Sequence, residues 1–199
     1  MNKKKRELLK NTIIIFLGKT STQLISFFLL PLYTAYLTTS QYGLVDLIQT
    51  YVTLLVPIIT LETEMSIFRY LVDSRTDKDE TKKLMNNNFY ILFISMFIFS
   101  IFYLIVALTT NIPYKLLIYI DILVCLLSGN FLQVARGMGK TIDFSIACLV
   151  TGLTTVASNL ILIVGLGFRA DGMILSMAIA NGVCSLYLFI RLKLYKVKI

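Results

Sequence analysis

Six apolar blocks of about twenty residues, each closed by a short charged or turn-forming cluster, constrain this chain more than any other feature of it. They run over about 11–37, 44–68, 88–110, 114–134, 143–168 and 170–190. A helix rises ~1.5 Å per residue, so about twenty residues cross a hydrocarbon core ~30 Å thick. Inside that core every backbone polar group must be satisfied within the protein, and continuous apolar runs of this length do so as helices. The expected fold is an all-α integral membrane protein, a bundle of six transmembrane helices. The totals exclude a soluble domain, since 57% of the 199 residues are hydrophobic and only 15% charged.

A net charge of +8 invites a nucleic-acid reading until its distribution is examined. The clusters Lys3–Lys10, Arg69–Lys83, Arg136–Lys140 and Arg191–Lys198 hold sixteen of the nineteen basic residues. Threading six spans puts all four clusters on one side, leaves Lys115 and Arg169 on the other, and places Lys19 inside the first span. Basic residues mark the cytoplasmic side, so both termini are expected there. This gives a basic N-terminus (1–10), the six-helix bundle (11–190) and a basic tail (191–199), in the inner (plasma) membrane. The charge is topological, and no nucleic-acid partner is expected. The apolar run after the N-terminal KKKR exceeds a 7–15-residue signal core and has no small-residue cleavage site before Leu37, so it reads as an uncleaved span. Cys125, Cys148 and Cys184 stand singly in three different spans, with no CxxC and no histidine. They read as packing residues, and neither a metal nor another cofactor is expected.

The candidate site begins with Lys19. It lies roughly 13 Å beyond Lys10 along a helix, near the middle of the bilayer, where a charge costs at least ~2.5 kcal/mol and faces protein or water. Lys19, Thr22, Gln23 and Ser26 share one helical face, while Leu24, Phe27 and Phe28 cover the lipid side. Pro31 is expected to kink or end this helix, and Ser40 to cap the next. In the second block Asp46, Gln49, Thr53, Pro57, Thr60 and Glu64 recur every three or four residues, a polar stripe along the whole span. Thr side chains alone would serve as interhelical glue, but a stripe with a carboxylate at each end reads as a cavity wall. Glu62, Glu64 and Arg69 follow at the inner end. Arg69 either pairs with one of the two carboxylates, reaches the interface, or gates the inner mouth. The DSRTDKDETKK segment reads as a solvated connector. The third span is almost wholly lipid-facing. The fourth carries an isolated Asp121, sharing a face with Cys125 and Ser128, for which an ion pair with Lys19 is the structural alternative. ARGMGKTIDF lacks the spacing of a phosphate loop and follows no strand, so it reads as a tight turn with Arg136 and Lys140 at the inner mouth. Thr151, Thr154, Thr155, Ser158 and Asn159 give the fifth span an uncharged polar face, and the sixth contains Ser176, Asn181 and Ser185.

Two segments carry a family resemblance. NTIIIFLGKTSTQLISFFLLPLYTAYLTTSQYGLVDL resembles the opening of bacterial polysaccharide flippases. These form the Wzx-type branch (O-antigen, teichoic acid, capsule) of the multidrug/oligosaccharidyl-lipid/polysaccharide exporter superfamily. ARGMGKTIDFSIACLVTGLTTVASNLILI is similar to the fourth-to-fifth-span junction of the same proteins, and the similarity extends along the chain. The resemblance implies alternating-access transport of a polyprenyl-diphosphate-linked oligosaccharide through a central basic cavity, by a transporter and not an enzyme. Lys19 with Gln23 would meet the substrate in the cavity, and Arg69 and Arg136 at its inner mouth. Asp46, Glu62, Glu64 and Asp121 are implied in ion coupling, gating or contacts to sugar hydroxyls, and no residue is catalytic. Members of this family have twelve or more spans in two bundles, whereas six are counted here. The partners implied are the lipid-linked oligosaccharide, membrane lipids, and either a second copy or a second six-helix half. The alternative is a non-transporting half that acts as an assembly partner in the glycan export machinery. A membrane polymerase or glycosyltransferase would call for a sizeable external loop or an acidic site near one, and the external loops here are a few residues long.

Overall fold

The computed structural model describes residues 3–196; residues 1, 2 and 197–199, and with them the extreme ends of the two basic termini, lie outside the described residues, as do the side chains of residues 3–8, 10, 17 and 196. Among the described residues the chain is helical and has no strand. The helices are α1 (Lys3–Tyr36), α2 (Thr39–Thr60), α3 (Thr63–Asp73), α4 (Lys78–Thr109), α5 (Lys115–Gly137), α6 (Thr141–Asn159, extended by a π-helical turn Leu160–Gly165) and α7 (Arg169–Arg191). Six of these segments are long and apolar enough to cross a membrane: Asn11–Tyr36, Thr39–Thr60, Lys78–Thr109, Lys115–Gly137, Thr141–Gly165 and Arg169–Arg191. The chain is a six-span membrane bundle.

Three boundaries differ from the sequence expectation, each for a local reason. The second block is not one helix over 44–68. It starts earlier because Thr38, not Ser40, caps it: Gln41 N–H donates to the Thr38 hydroxyl and Thr38 N–H to the Gln41 side chain, a reciprocal capping box. It stops earlier because the chain, having passed through Pro57, leaves the helix after Thr60 through Leu61 and Glu62, both left-handed (φ 49° and 56°). The third span begins at Lys78 instead of Phe89 or its neighbours, since Asp77 accepts from the N–H groups of Asp79 and Glu80 and those two acids suit the positive helix start. Much of the expected connector is thus helix. By contrast, α1 passes through Pro31 and ends at Tyr36, within a residue of the expected block.

Packing divides the bundle unequally. α7 lies at its centre, against α5, α6 and α2, and supplies Ile174, Ala178, Ala180, Cys184 and Leu188 to the core. α1 packs almost entirely on α6 and touches α2 little. The α1–α6 crossing is close because a Cβ at Gly18 would stand 3.0 Å from Ser145 Cα, and the Ser145 hydroxyl donates to the Ile14 carbonyl at 2.7 Å. α4 is the outermost helix, with Phe93, Phe97, Ile98, Phe102 and Ile105 exposed to the lipid, in keeping with its sequence. It is tied to α5 by a reciprocal amide pair, Asn88 to Asn130 at 2.8 and 3.1 Å, both buried.

At one end of the bundle the 74–77 and 138–140 turns meet. Arg75 donates from Nε to the Gly137 carbonyl (2.6 Å) and from Nη2 to that of Arg136 (2.9 Å), closing the C-terminus of α5. Gly139, at φ +75°, makes the turn that follows, a conformation suited to glycine. At the same end Asn11 meets Thr141, and Arg191 pairs with Asp143 at 2.7 Å.

Candidate functional site

Because α1 leans on α6 and away from α2, a cleft remains between α1 and α6 on one side and α2, α3 and α5 on the other, with α7 behind it. Two adjoining cavities occupy it, of about 420 Å³ and about 400 Å³. Thr22, Thr151 and Asn181 line both, so the two are chambers of one cleft.

The first chamber gathers side chains that are distant in sequence. α1 contributes Lys19 and Gln23, α3 Glu64, α5 Gln133 and Arg136, and α7 Asn181. Lys19 reaches it because Gly18 seats α1 on Ser145 and turns the next residue toward the gap. Glu64 reaches it because α3 lays Glu64, Ile67, Phe68 and Leu71 toward α5. Its carboxylate comes so near α5 that a Cβ at Gly129 would stand 3.0 Å from Oε2. Arg136 is held from three sides. Its Nη1 donates to Gln133 Oε1 at 2.9 Å, and its guanidinium lies 4.7 Å from the Phe68 ring centroid and 5.6 Å from that of Phe144. Its position in the last turn of α5 also suits a cation. Arg136 Nε and Glu64 Oε1 are buried with no hydrogen-bond partner among the described residues. Two cations and one carboxylate with unused hydrogen-bonding capacity therefore face one space, which suits an anion flanked by hydroxyl groups.

The second chamber is different. Asp46 is the charged side chain on its wall, beside Gln49, Ser26, Tyr33 and Tyr42, with Thr155 and Asn181 opposite. The Tyr33 and Tyr42 rings lie 6.1 Å apart. Asp121, 1% exposed, stands behind this wall and accepts from Gln49 Nε2 at 2.9 Å. The expected alternative, an ion pair with Lys19, does not form; Gln49 on α2 intervenes, and Lys19 lines the other chamber.

Of the sequence candidates, then, Lys19, Gln23, Glu64 and Arg136 come together, Asp46 lies next door, and Asp121 supports Gln49. Glu62 and Arg69 line neither chamber. Glu62 lies in the exposed link between α2 and α3, and Arg69 is about 140° around α3 from Glu64, on its exposed side. Among the described residues no ion pair joins Arg69 to Glu62 or Glu64. The polar stripe does not survive as one wall, because the break at Leu61 divides it: Asp46 and Gln49 face the second chamber, Thr60 is buried and bonds the Val56 carbonyl, and Glu64 turns to the first. Sequence reasoning leaves Asn181 and Thr151 as uncharged residues of polar faces; only their place between the two chambers marks them.

Fold and cleft together define a multi-pass helical membrane protein with a polar interior crevice. The comparisons give it a family: the model of the polysaccharide biosynthesis protein family matches residues 8–197, and the chain belongs to that family. This bears out the flippase resemblance noted from its first and fourth-to-fifth spans. No curated protein and no solved structure matches the chain.

Proposed function

We propose that this protein moves a polyprenyl-diphosphate-linked oligosaccharide across the cytoplasmic membrane by alternating access. The observation that supports this best is the meeting of Lys19 and Arg136 in one membrane-embedded chamber. Arg136 offers a planar, two-pronged donor set suited to a phosphate, and Lys19 a point charge. Gln23 and Glu64 provide acceptors and donors for the first sugar. Transport of this kind makes and breaks no covalent bond, which accords with a family of transporters. In this reading the end that carries Arg75, Arg136, Lys140 and Arg191 is cytoplasmic, as are both termini, and Arg136 is the cation nearer that face. The cleft is walled by α1 and α6, by α2, α3 and α5, and by α7 behind, and a second six-helix unit, in the same or another chain, would cover the side left open.

Replacing Lys19 or Arg136 with alanine tests the reading in cells that depend on the protein for surface glycan. The expected result is loss of glycan display with unchanged protein in the membrane fraction. Normal display in both variants overturns it.

A further inference from the structure

The second chamber has a chemistry of its own, and resting on the function proposed above, we infer that it is a saccharide subsite that accepts uncharged, hydroxyl-rich sugars and rejects acidic ones. The argument starts from what its polar groups have left to offer. Gln49 has its Nε2 committed to Asp121, so its carbonyl oxygen remains to accept. Asn181 Oδ1 lies 3.2 Å from the Ser128 hydroxyl, whose one proton it shares with the Cys125 carbonyl at 3.0 Å, and in this arrangement its NH2 remains to donate. Two buried partners on α5 thus orient two amides, Asp121 that of Gln49 on α2 and Ser128 that of Asn181 on α7. Asp46, whose carboxylate has no partner among the described residues, takes two hydroxyl protons at once, as vicinal diols present them.

The cavity, at about 400 Å³, has room for a monosaccharide or more, and Tyr42, half-buried beside the buried Tyr33, gives an apolar ring face for the C–H side of a pyranose. No cation among the described residues lines it, and a second carboxylate, Asp121, stands behind Gln49. A uronate or phosphosugar would therefore meet like charge without a counter-ion, an arrangement that excludes wrong partners. The first chamber, with Lys19 and Arg136, has the opposite preference. A diphosphate-linked glycan would lie along the cleft with its phosphates in the first chamber and sugar in the second. Asp121 is a positioning residue here, acting through Gln49.

The test is native mass spectrometry of the full chain in micelles, titrated with undecaprenyl diphosphate, undecaprenyl-diphosphate-galactose and undecaprenyl-diphosphate-galacturonate. The galactose lipid is expected to bind about tenfold more tightly than the bare diphosphate, and the galacturonate lipid no more tightly than it. Asp46→Asn, a near-isosteric change at an exposed position, should bring the two sugar lipids within about threefold of each other. Thr155→Trp, which fills the chamber, should remove the gain from galactose and leave the bare diphosphate unaffected. Equal affinity for all three lipids, with binding still weakened by Lys19→Glu, overturns the subsite and leaves the transport proposal standing. Binding of every lipid unchanged by Lys19→Glu overturns the transport proposal and this subsite with it.

Discussion

Two of the polar groupings within this apolar bundle handle their hydrogen bonds in opposite ways. Asn88 and Asn130, which line neither chamber, join α4 to α5, and each amide donates to and accepts from the other. Glu64 and Arg136, in the first chamber, keep a buried atom each without a partner, and Lys19 has no ion-pair partner among the described residues. Burying a polar group unsatisfied costs roughly 1–3 kcal/mol. Asn86, Asp121 and Asn159 also keep one buried side-chain oxygen each without a partner, so what sets Glu64 and Arg136 apart is that both line one chamber. The difference separates a structural pair, which holds two helices in register, from groups kept available for something that enters.

The largest expected effect comes from reversing charge on the open side of that comparison. Lys19→Glu or Arg136→Glu should lower surface glycan display at least ~10-fold, because an attractive charge contact in the cleft is replaced by repulsion, while membrane levels of the protein stay near wild type. Display and protein level falling together would instead place these residues with the structural group.

The closed pair gives the next effect, on stability. Asn88→Leu leaves Asn130 unpaired in the interior and should destabilise the bundle by about 1–3 kcal/mol, read as a lower melting temperature in detergent. Asn88→Leu combined with Asn130→Leu should recover most of that loss, since no orphan amide remains. Glycan display should track protein amount in both. A double variant as unstable as the single would mean the pair does more than satisfy itself.

Gly129→Ala probes the open side without changing any charge. The added methyl would stand 3.0 Å from Glu64 Oε2, so the carboxylate must move. A drop in export of about threefold with an unchanged melting temperature is expected, sized by one displaced hydrogen-bonding contact. The smallest effect belongs to Ser145→Ala, which removes the hydroxyl bond to Ile14 on α1. Interhelical bonds of this kind average ~0.6 kcal/mol, so display should be unaffected and the melting temperature barely lowered.

Much of the site was legible because charge inside a span is conspicuous. Lys19 stands alone among Ile, Phe and Leu, and its neighbours Thr22 and Gln23 follow from helical spacing. Glu64 and Arg136 were visible as residues but not as companions: seventy-two positions separate them, and no local pattern reports that α3 packs on α5. Arg69 illustrates the reverse error, since its nearness to Glu64 in sequence does not survive an angle of about 140° on the helix surface.

By itself the sequence determined the class of the protein, the number of spans, their lipid-facing sides and the gathering of basic residues at one end. Those properties follow from transfer of side chains between water and hydrocarbon, which acts residue by residue along the chain. Only the tertiary structure decided where the second span breaks, that Asp121 serves Gln49 and not Lys19, and that one cleft contains two chambers, one lined by Lys19, Arg136 and Glu64 and the other by Asp46. These depend on which helix leans on which. Close crossings such as Gly18 on Ser145 settle that, through contacts between residues more than a hundred positions apart.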